Sequence, residues 1–378
     1  MRRILADLQP GRLITLTGSQ GVGKTRLAIE AGLRLAERFD SVVTVWLGTV
    51  HSASEVPTQI ARAGDWPVSD ERAVDAAVVA HLRETPTLVV LDNCEHVDGI
   101  GTVIDHVLRA CPTAAVLATS PRPLACDLER VIEIEPLPVD ASIELLVHAA
   151  RRNDPRFAVT DANRDALAEL ATQLGGIPLA LYLAAARLHV TTPNQMVRLL
   201  DRRFDVLTGL PSFEAPHRAL LLTMIEWTYR LQTEVDQQRF RALGVFPHTF
   251  TREAAAAVAG CDPVQMLDTL QALVDHHLVR AMEREGVAAR FGLLESMREF
   301  ALTELAEHGE LEAAQRAHAV WLTELAERDG PGVAAGDADA WGRLLTEIDN
   351  VRAATAWAVT HDRRLVLRLG VLWRFWQR

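Results

Sequence analysis

One eight-residue segment restricts what this chain can fold into more than any other: GSQGVGKT, Gly18 to Thr25. It fills the pattern G-x-x-x-x-G-K-[ST], with the apolar extended run Leu13–Thr17 before it and the amphipathic stretch TRLAIEAGLRLAERF around and after its end. A strand that turns through glycines into a helix belongs to a parallel α/β sheet. In that setting Gly18, Gly21 and Gly23 let the backbone bend until its N–H groups converge on phosphate oxygens, and the helix N-terminus adds partial positive charge. Gly18, Ser19, Gln20, Gly21, Val22, Gly23, Lys24, Thr25 and the following Arg26 therefore form the expected phosphate-binding stretch. Lys24 would reach the β- and γ-phosphates of a nucleoside triphosphate, ATP with ADP as its product, and Thr25 would place its hydroxyl on Mg²⁺. The 39 basic residues include one lysine, and it is Lys24. A strong bias toward arginine has spared the one position where a compact ammonium must sit among phosphates.

Further residues are expected in the same crevice. TLVVLDN puts Asp92 at the carboxyl end of an apolar run, far enough beyond Lys24 for intervening βα units. A carboxylate there can hold Mg²⁺ through a water; the plainer reading is a turn aspartate. Asn93 follows, where many hydrolases of this kind carry an acid. Glu95 is then the nearest carboxylate able to polarise a water, the one further catalytic candidate beside Lys24 and Asp92, or else a solvated residue opening the next helix. Cys94 and His96 read as walls of the site, since no orienting partner makes them a nucleophile pair. AAVLATSPRPL brings Thr119 and Ser120 to the end of the next strand, where ligands of parallel sheets lie. Arg122 either senses the γ-phosphate as a bidentate donor or is a surface arginine in a Pro-rich loop.

The rest of the chain divides by pattern. Extended runs at Leu13–Thr17, Val42–Leu47, Thr87–Leu91, Ala114–Thr119 and Val131–Glu135 alternate with helical stretches, and several are apolar on both faces, as when helices cover both sides of a sheet. From Asp140 to about Leu207 the pattern is helical. Leu167, Leu170, Ala171 and Leu174 form one stripe, Gly175-Gly176 stops that helix, and Pro178 can open the next. GLPSFEAPH (Gly209–His217) reads as a linker. Between Arg218 and Ala306, three helical segments precede two extended runs, Leu278–Met282 and Ala289–Leu294, with Glu285-Gly286 as a hairpin turn: a winged helix. Beyond Leu311 everything reads helical, and five of the eight tryptophans lie there, suited to helix packing in a repeat array. The final LWRFWQR carries no stop signal and reads as a truncation. The expected architecture is an α/β P-loop domain with a parallel sheet and helices on both faces (1–137), a helical lid (138–208), a winged-helix domain (209–308) and the start of an α-helical, tetratricopeptide-like region (309–378).

Composition excludes several classes. No apolar run approaches a membrane span, and MRRILADLQPGR lacks the apolar stretch of a secretory signal. The four cysteines have no zinc-ligand spacing, so a reduced, cytoplasmic chain is expected. A net charge of −11 opposes a large nucleic-acid footprint. The stretch PVQMLDTLQALVDH, Pro263–His276, sits where a winged helix would carry its recognition helix, yet it holds Asp268 and Asp275 and no Arg or Lys. Phosphates would repel it, so no direct DNA contact is expected from these residues.

Taken in order, GSQGVGKTRLA, TLVVLDNCEH, VLATS and LGGIPLALYLAAARL resemble the STAND class of signal-transduction ATPases. More narrowly, they resemble the NB-ARC-like nucleotide-binding part of bacterial LuxR- and AfsR-like transcriptional regulators. The resemblance continues through LLESMREFA (Leu293–Ala301) and EIDNVRAATAWAV (Glu347–Val359). It implies an ATPase core, a lid, a winged helix and a repeat-type sensor, with Pro178 of GGIPLA against the adenine. It also implies a protein or small-molecule signal on the helical region and leaves self-association open. Three departures stand out. Pro121 separates Thr119-Ser120 from Arg122, Leu294-Glu295-Ser296 replaces the related Met-His-Asp, and the adenine-holding segment before the first strand is missing or very short. The reading is an ATP/ADP-binding conformational switch with slow Mg²⁺-dependent hydrolysis. A nucleotide-dead interaction scaffold and a P-loop small-molecule kinase are its alternatives.

Overall fold

The computed structural model describes residues 1–48, 50, 52–66, 74–207, 216–282 and 289–376, which divide into two units. The first comprises Met1–Leu137 with Ile177–Leu179. Its elements run α1 (Arg2–Asp7), β1 (Leu13–Thr17), α2 (Lys24–Leu35), β2 (Ser41–Trp46), α3 (Val56–Ala63), α4 (Val74–Glu84), β3 (Thr87–Asp92), α5 (Ile100–Ala110), β4 (Ala115–Thr119) and β5 (Glu129–Glu133). The five strands are all parallel, in the order β2-β3-β4-β1-β5.

Alternation along the strands splits the apolar residues between two layers. Leu88 and Val90 of β3 join Ile14, Leu16 and Leu117 against Ile4, Ala28, Ala31 and Leu35 of α1 and α2. Val89 and Leu91 of the same strand join Val43, Val45 and Val116 against Val56, Ile60, Val78, Leu82, Ile104 and Leu108 of α3, α4 and α5. The central strands β1, β3 and β4 are buried along their whole length. This is why they read as unbroken apolar runs.

The edge strand differs from the sequence expectation. The expected run Val131–Glu135 is shifted: β5 begins at Glu129, opposite Leu13, and only Ile132 along it is buried. Val131 is 43% exposed, because an edge strand has one face covered and needs apolar residues on that side alone.

The second unit, Pro138–Gly176 with Ala180–Arg378, begins with α6 (Val139–Ala150), α7 (Arg164–Gln173), α8 (Pro178–Ala185, its first two residues counted with the first unit) and α9 (Pro193–Leu207). The predicted stripe is buried in full, and Gly175 and Gly176 adopt the left-handed φ values of +58° and +63° that end α7. Then follow α10 (Pro216–Arg230), α11 (Glu234–Leu243), β6 (Thr249–Thr251), α12 (Arg252–Ala259), α13 (Pro263–Asp275), β7 (Arg280–Met282), β8 (Arg290–Gly292) and α14 (Glu295–Glu307). The strands form an antiparallel sheet in the order β6-β8-β7, which with α11, α12 and α13 makes a winged helix. Its core is aromatic: Phe246 stacks on Phe250 at 4.6 Å, and Phe250 on Phe291 at 6.3 Å.

Four helices among the described residues, α10 to α13, precede the two extended runs where the sequence pattern suggests three, and β6 falls between them unannounced by that pattern. That strand is three residues long, too short for alternation to register, and the hydroxyl of Thr251 at its end caps α12 by accepting from Ala254 N–H. Of the expected linker, residues 209–215 lie outside the described residues, while Pro216 and His217 open α10. The Glu285-Gly286 turn also lies outside them. The chain continues as α15 (Leu311–Ala334), α16 (Ala338–Thr346), α17 (Ile348–His361) and α18 (Arg363–Trp376), helical throughout as expected.

Candidate functional site

The strand order creates the site. β4 lies between β1, which feeds the glycine-rich loop, and β3, which ends in Asp92. Their carboxyl ends therefore bring Thr25, Asp92 and Thr119 to one point. Thr25 Oγ1 donates to Asp92 Oδ1 at 2.8 Å. Thr119 Oγ1 donates to the same oxygen at 2.5 Å and accepts from the N–H of Asn93 at 3.1 Å. Asp92 is 7% exposed and Thr119 1%. A carboxylate so withdrawn from water needs such donors.

The loop itself is held from behind. Gly18, Gly21 and Gly23 have φ of +139°, +79° and +102°. A Cβ on Gly18 would come within 2.5 Å of the Ile134 carbonyl oxygen, so residue 18 is restricted by space as well as by φ. Val22 is buried and anchors the loop, its N–H 3.4 Å from the Ser19 carbonyl. Lys24 Nζ donates to the carbonyls of Gly18 at 2.9 Å and Ser19 at 3.2 Å. Burial pulls its pKa below the usual lysine value, while Glu95 and Asp92 push it back up.

Several observations fit a bound polyphosphate. The N-terminus of α2 has neither a side-chain cap nor an acidic residue in its first turn, which leaves its first amides for an outside acceptor. Ser19 Oγ is buried without a partner among the described residues. Gln20 lies half-buried in the loop, and Arg26 is exposed on the outer side of α2. The hydroxyl of Thr25 and the carboxylate of Asp92 are oxygen donors suited to Mg²⁺.

Beyond Asp92 the backbone turns sharply. Asn93 adopts φ +62°, a left-handed conformation unusual for a side-chain-bearing residue, and a single helical turn, Cys94–His96, follows. Glu95 is open to solvent but walled by protein, and the lost hydration raises its carboxyl above the ordinary glutamate value, partly countered by His96 and Lys24. Cys94 is fully buried. Burial first, and Glu95 and Asp92 after it, hold its thiol well above the normal range, so it is no nucleophile. Arg122 is exposed in the loop after β4, where its N–H donates to Ser120 Oγ at 3.3 Å. Pro178 opens α8, and Leu179 N–H donates to the Gly21 carbonyl at 3.3 Å, which brings Ile177–Leu179 of GGIPLA to the glycine loop within the first unit. The contribution of Ile134 was not foreseen. Its only sequence signal is position, just past an edge strand that must pair with β1.

On the winged helix, α13 exposes Val264 and Leu267 beside Asp268 and Asp275 and carries no basic residue. No helix among the described residues is long and apolar enough to cross a membrane.

No protein-family model matches the chain. In an alignment of 383 positions that covers 99% of this chain, it is 34% identical to a Mycobacterium tuberculosis protein that carries the name HTH-type transcriptional regulator, of which it spans 43%. Over 322 residues it is 32% identical to a second Mycobacterium tuberculosis protein, named as uncharacterized, covering 83% of this chain and 80% of that one. Among solved structures, a signal transduction ATPase with numerous domains and a tetratricopeptide repeat sensor, from Pyrococcus horikoshii, aligns at 16% identity with a TM-score of 0.47, over 99% of this chain and 57% of that one. The chain spans less than half the length of the regulator it matches.

Proposed function

The chain belongs to the family of these mycobacterial proteins, and from that premise we propose that it is a nucleotide-operated conformational switch within a transcriptional regulator. The observation that carries this reading is the joined set Thr25–Asp92–Thr119 beside an uncapped helix N-terminus. The amides of Gly18 to Thr25 would hold the phosphates of ATP or ADP, with Lys24 supplying the compact cation. Thr25 and Asp92 would hold Mg²⁺, whose chemistry is to neutralise developing phosphate charge. Thr119 is a positioning residue: it fixes the orientation of Asp92 and ties down Asn93. The hydrogen bond from Leu179 to Gly21 supports a place for Pro178 beside the nucleotide.

Hydrolysis is slow in this reading. Asn93 offers no acid, and Glu95, the remaining candidate base, is solvent-exposed. Arg122 and Arg26 would add cationic donors from the rim. The acidic, apolar α13 makes the winged helix an internal switch element, and the helical region would receive a protein or small-molecule signal. The test is to measure ADP and ATP binding with and without Mg²⁺ by calorimetry, and to identify any nucleotide that co-purifies. Lys24→Ala should lose binding. Unchanged affinity in that variant would sink the site assignment.

A further inference from the structure

A buried cation in the second unit has no counter-charge among the described residues. Arg187, just past the end of α8, is 7% exposed. Its one hydrogen bond runs from Nη2 to the Thr228 carbonyl in the last turn of α10, a long 3.3 Å, and its Nε is buried without a partner. No salt bridge reaches it among the described residues, and burial alone acts on its ionisation, lowering it. The surroundings are polar but carry no carboxylate for it. Gln232 Nε2 takes the same Thr228 carbonyl at 2.8 Å, and Gln232 Oε1 lies 2.9 Å from His276 Nδ1. His189 and Arg187 both oppose a positive charge on His276. The nearest acid acting on that histidine, Asp275, is exposed and engaged by Gln271 at 2.9 Å.

Buried arginines are almost always paired, because desolvating a guanidinium costs far more than one neutral hydrogen bond returns. A water could satisfy the orphan N–H but not the charge. The partial charge of the α10 C-terminus offsets only part of it. We propose that Arg187 is the floor of a small-anion site, taking chloride or inorganic phosphate, with Gln232 and His276 as its polar wall.

The test uses the full chain with Lys24→Ala, so that the glycine loop cannot answer for the anion. Thermal melts are compared in sodium gluconate, chloride and phosphate at equal ionic strength. The site predicts a saturable rise in Tm with chloride or phosphate over gluconate, as binding to the folded state requires. The anion that gives the rise at the lower concentration is the preferred ligand. Arg187→Met should abolish the rise and melt at or above the gluconate value, since it removes an uncompensated charge, whereas Arg187→Lys should keep a weakened response. Identical melts in all three salts, or a rise that survives in Arg187→Met, would overturn the proposal.

Discussion

Replacing Thr119 by valine removes one hydroxyl from the core of the candidate site and changes little else, because the two side chains share their shape. Two hydrogen bonds go with it. The first is the donation to Asp92 Oδ1, a bond to a carboxylate that is 7% exposed, and such bonds contribute about 1.5–3 kcal/mol. The second is the bond accepted from Asn93 N–H, worth roughly 0.5–1.5 kcal/mol. Thr25 remains on Asp92, so the carboxylate keeps one donor and the loss stays bounded. The expected destabilisation is therefore ~2–4.5 kcal/mol, at the lower end if Asn93, held at φ +62°, relaxes once its N–H is released. Urea unfolding of the first unit, followed by circular dichroism, measures it. The same variant should weaken Mg²⁺-dependent nucleotide binding more than Mg²⁺-free binding, because Asp92 loses its orientation, and Thr119→Ser should restore both. A Thr119→Val protein within about 0.5 kcal/mol of the parent, with unchanged Mg²⁺ dependence, would refute the idea that this hydroxyl organises the site.

Three further outcomes can be checked. Gly18→Ala should destabilise by about 2 kcal/mol or more and distort the loop, since its Cβ would meet the Ile134 carbonyl at 2.5 Å; a crystal structure of the variant with an unmoved loop would contradict this. Glu347→Gln should cost about 3–5 kcal/mol, because Arg290, 2.6 Å away and nearly buried, would lose its counter-charge; a cost under about 1 kcal/mol in thermal unfolding would show the pair to be dispensable. Acid should unfold the second unit early. His318 and His276 are held down to about 4 from an ordinary 6.5, chiefly by burial, so the unfolded chain binds protons there that the folded one refuses. Their contribution is complete above about pH 6.5 and is lost as pH falls toward 4, with fully buried His318 alone giving a slope of up to ~1.4 kcal/mol per pH unit. His318→Gln should flatten that limb of a stability–pH curve.

The parts of this molecule that were legible in the sequence are those where a physical constraint acts on consecutive residues. Burial on both faces writes Leu13–Thr17 and Thr87–Asp92 as mostly apolar runs, and the left-handed φ values of the loop favour glycine at Gly18, Gly21 and Gly23. The strand positions then placed Thr25, Asp92 and Thr119 at one edge of the sheet before any distance was known. Where the constraint involves residues far apart, the signal fades. The sheet order that inserts β4 between β1 and β3 leaves no mark on any one segment, and β5 looks more apolar than it is because its exposed Val131 is indistinguishable from a core residue. β6 was missed for a related reason. Its three residues form a strand only because β8, forty residues later, offers a partner. Arg187 sits in an alanine- and leucine-rich helix end that gives no hint of a buried, unpaired charge.

The wall behind Gly18 also ties the glycine loop to the residue that follows the edge strand. Ile134 donates its N–H to the Thr17 carbonyl at 2.8 Å, while its own carbonyl fills the space that a Cβ at Gly18 would take. Pro136 and Pro138 stiffen the chain immediately beyond, where it leaves the first unit after Leu137. β5, the last strand before that exit, runs parallel to β1 from Glu129 opposite Leu13 to Glu133 opposite Thr17. The carbonyl that shapes the glycine loop from behind thus lies just before the point where the chain leaves the first unit.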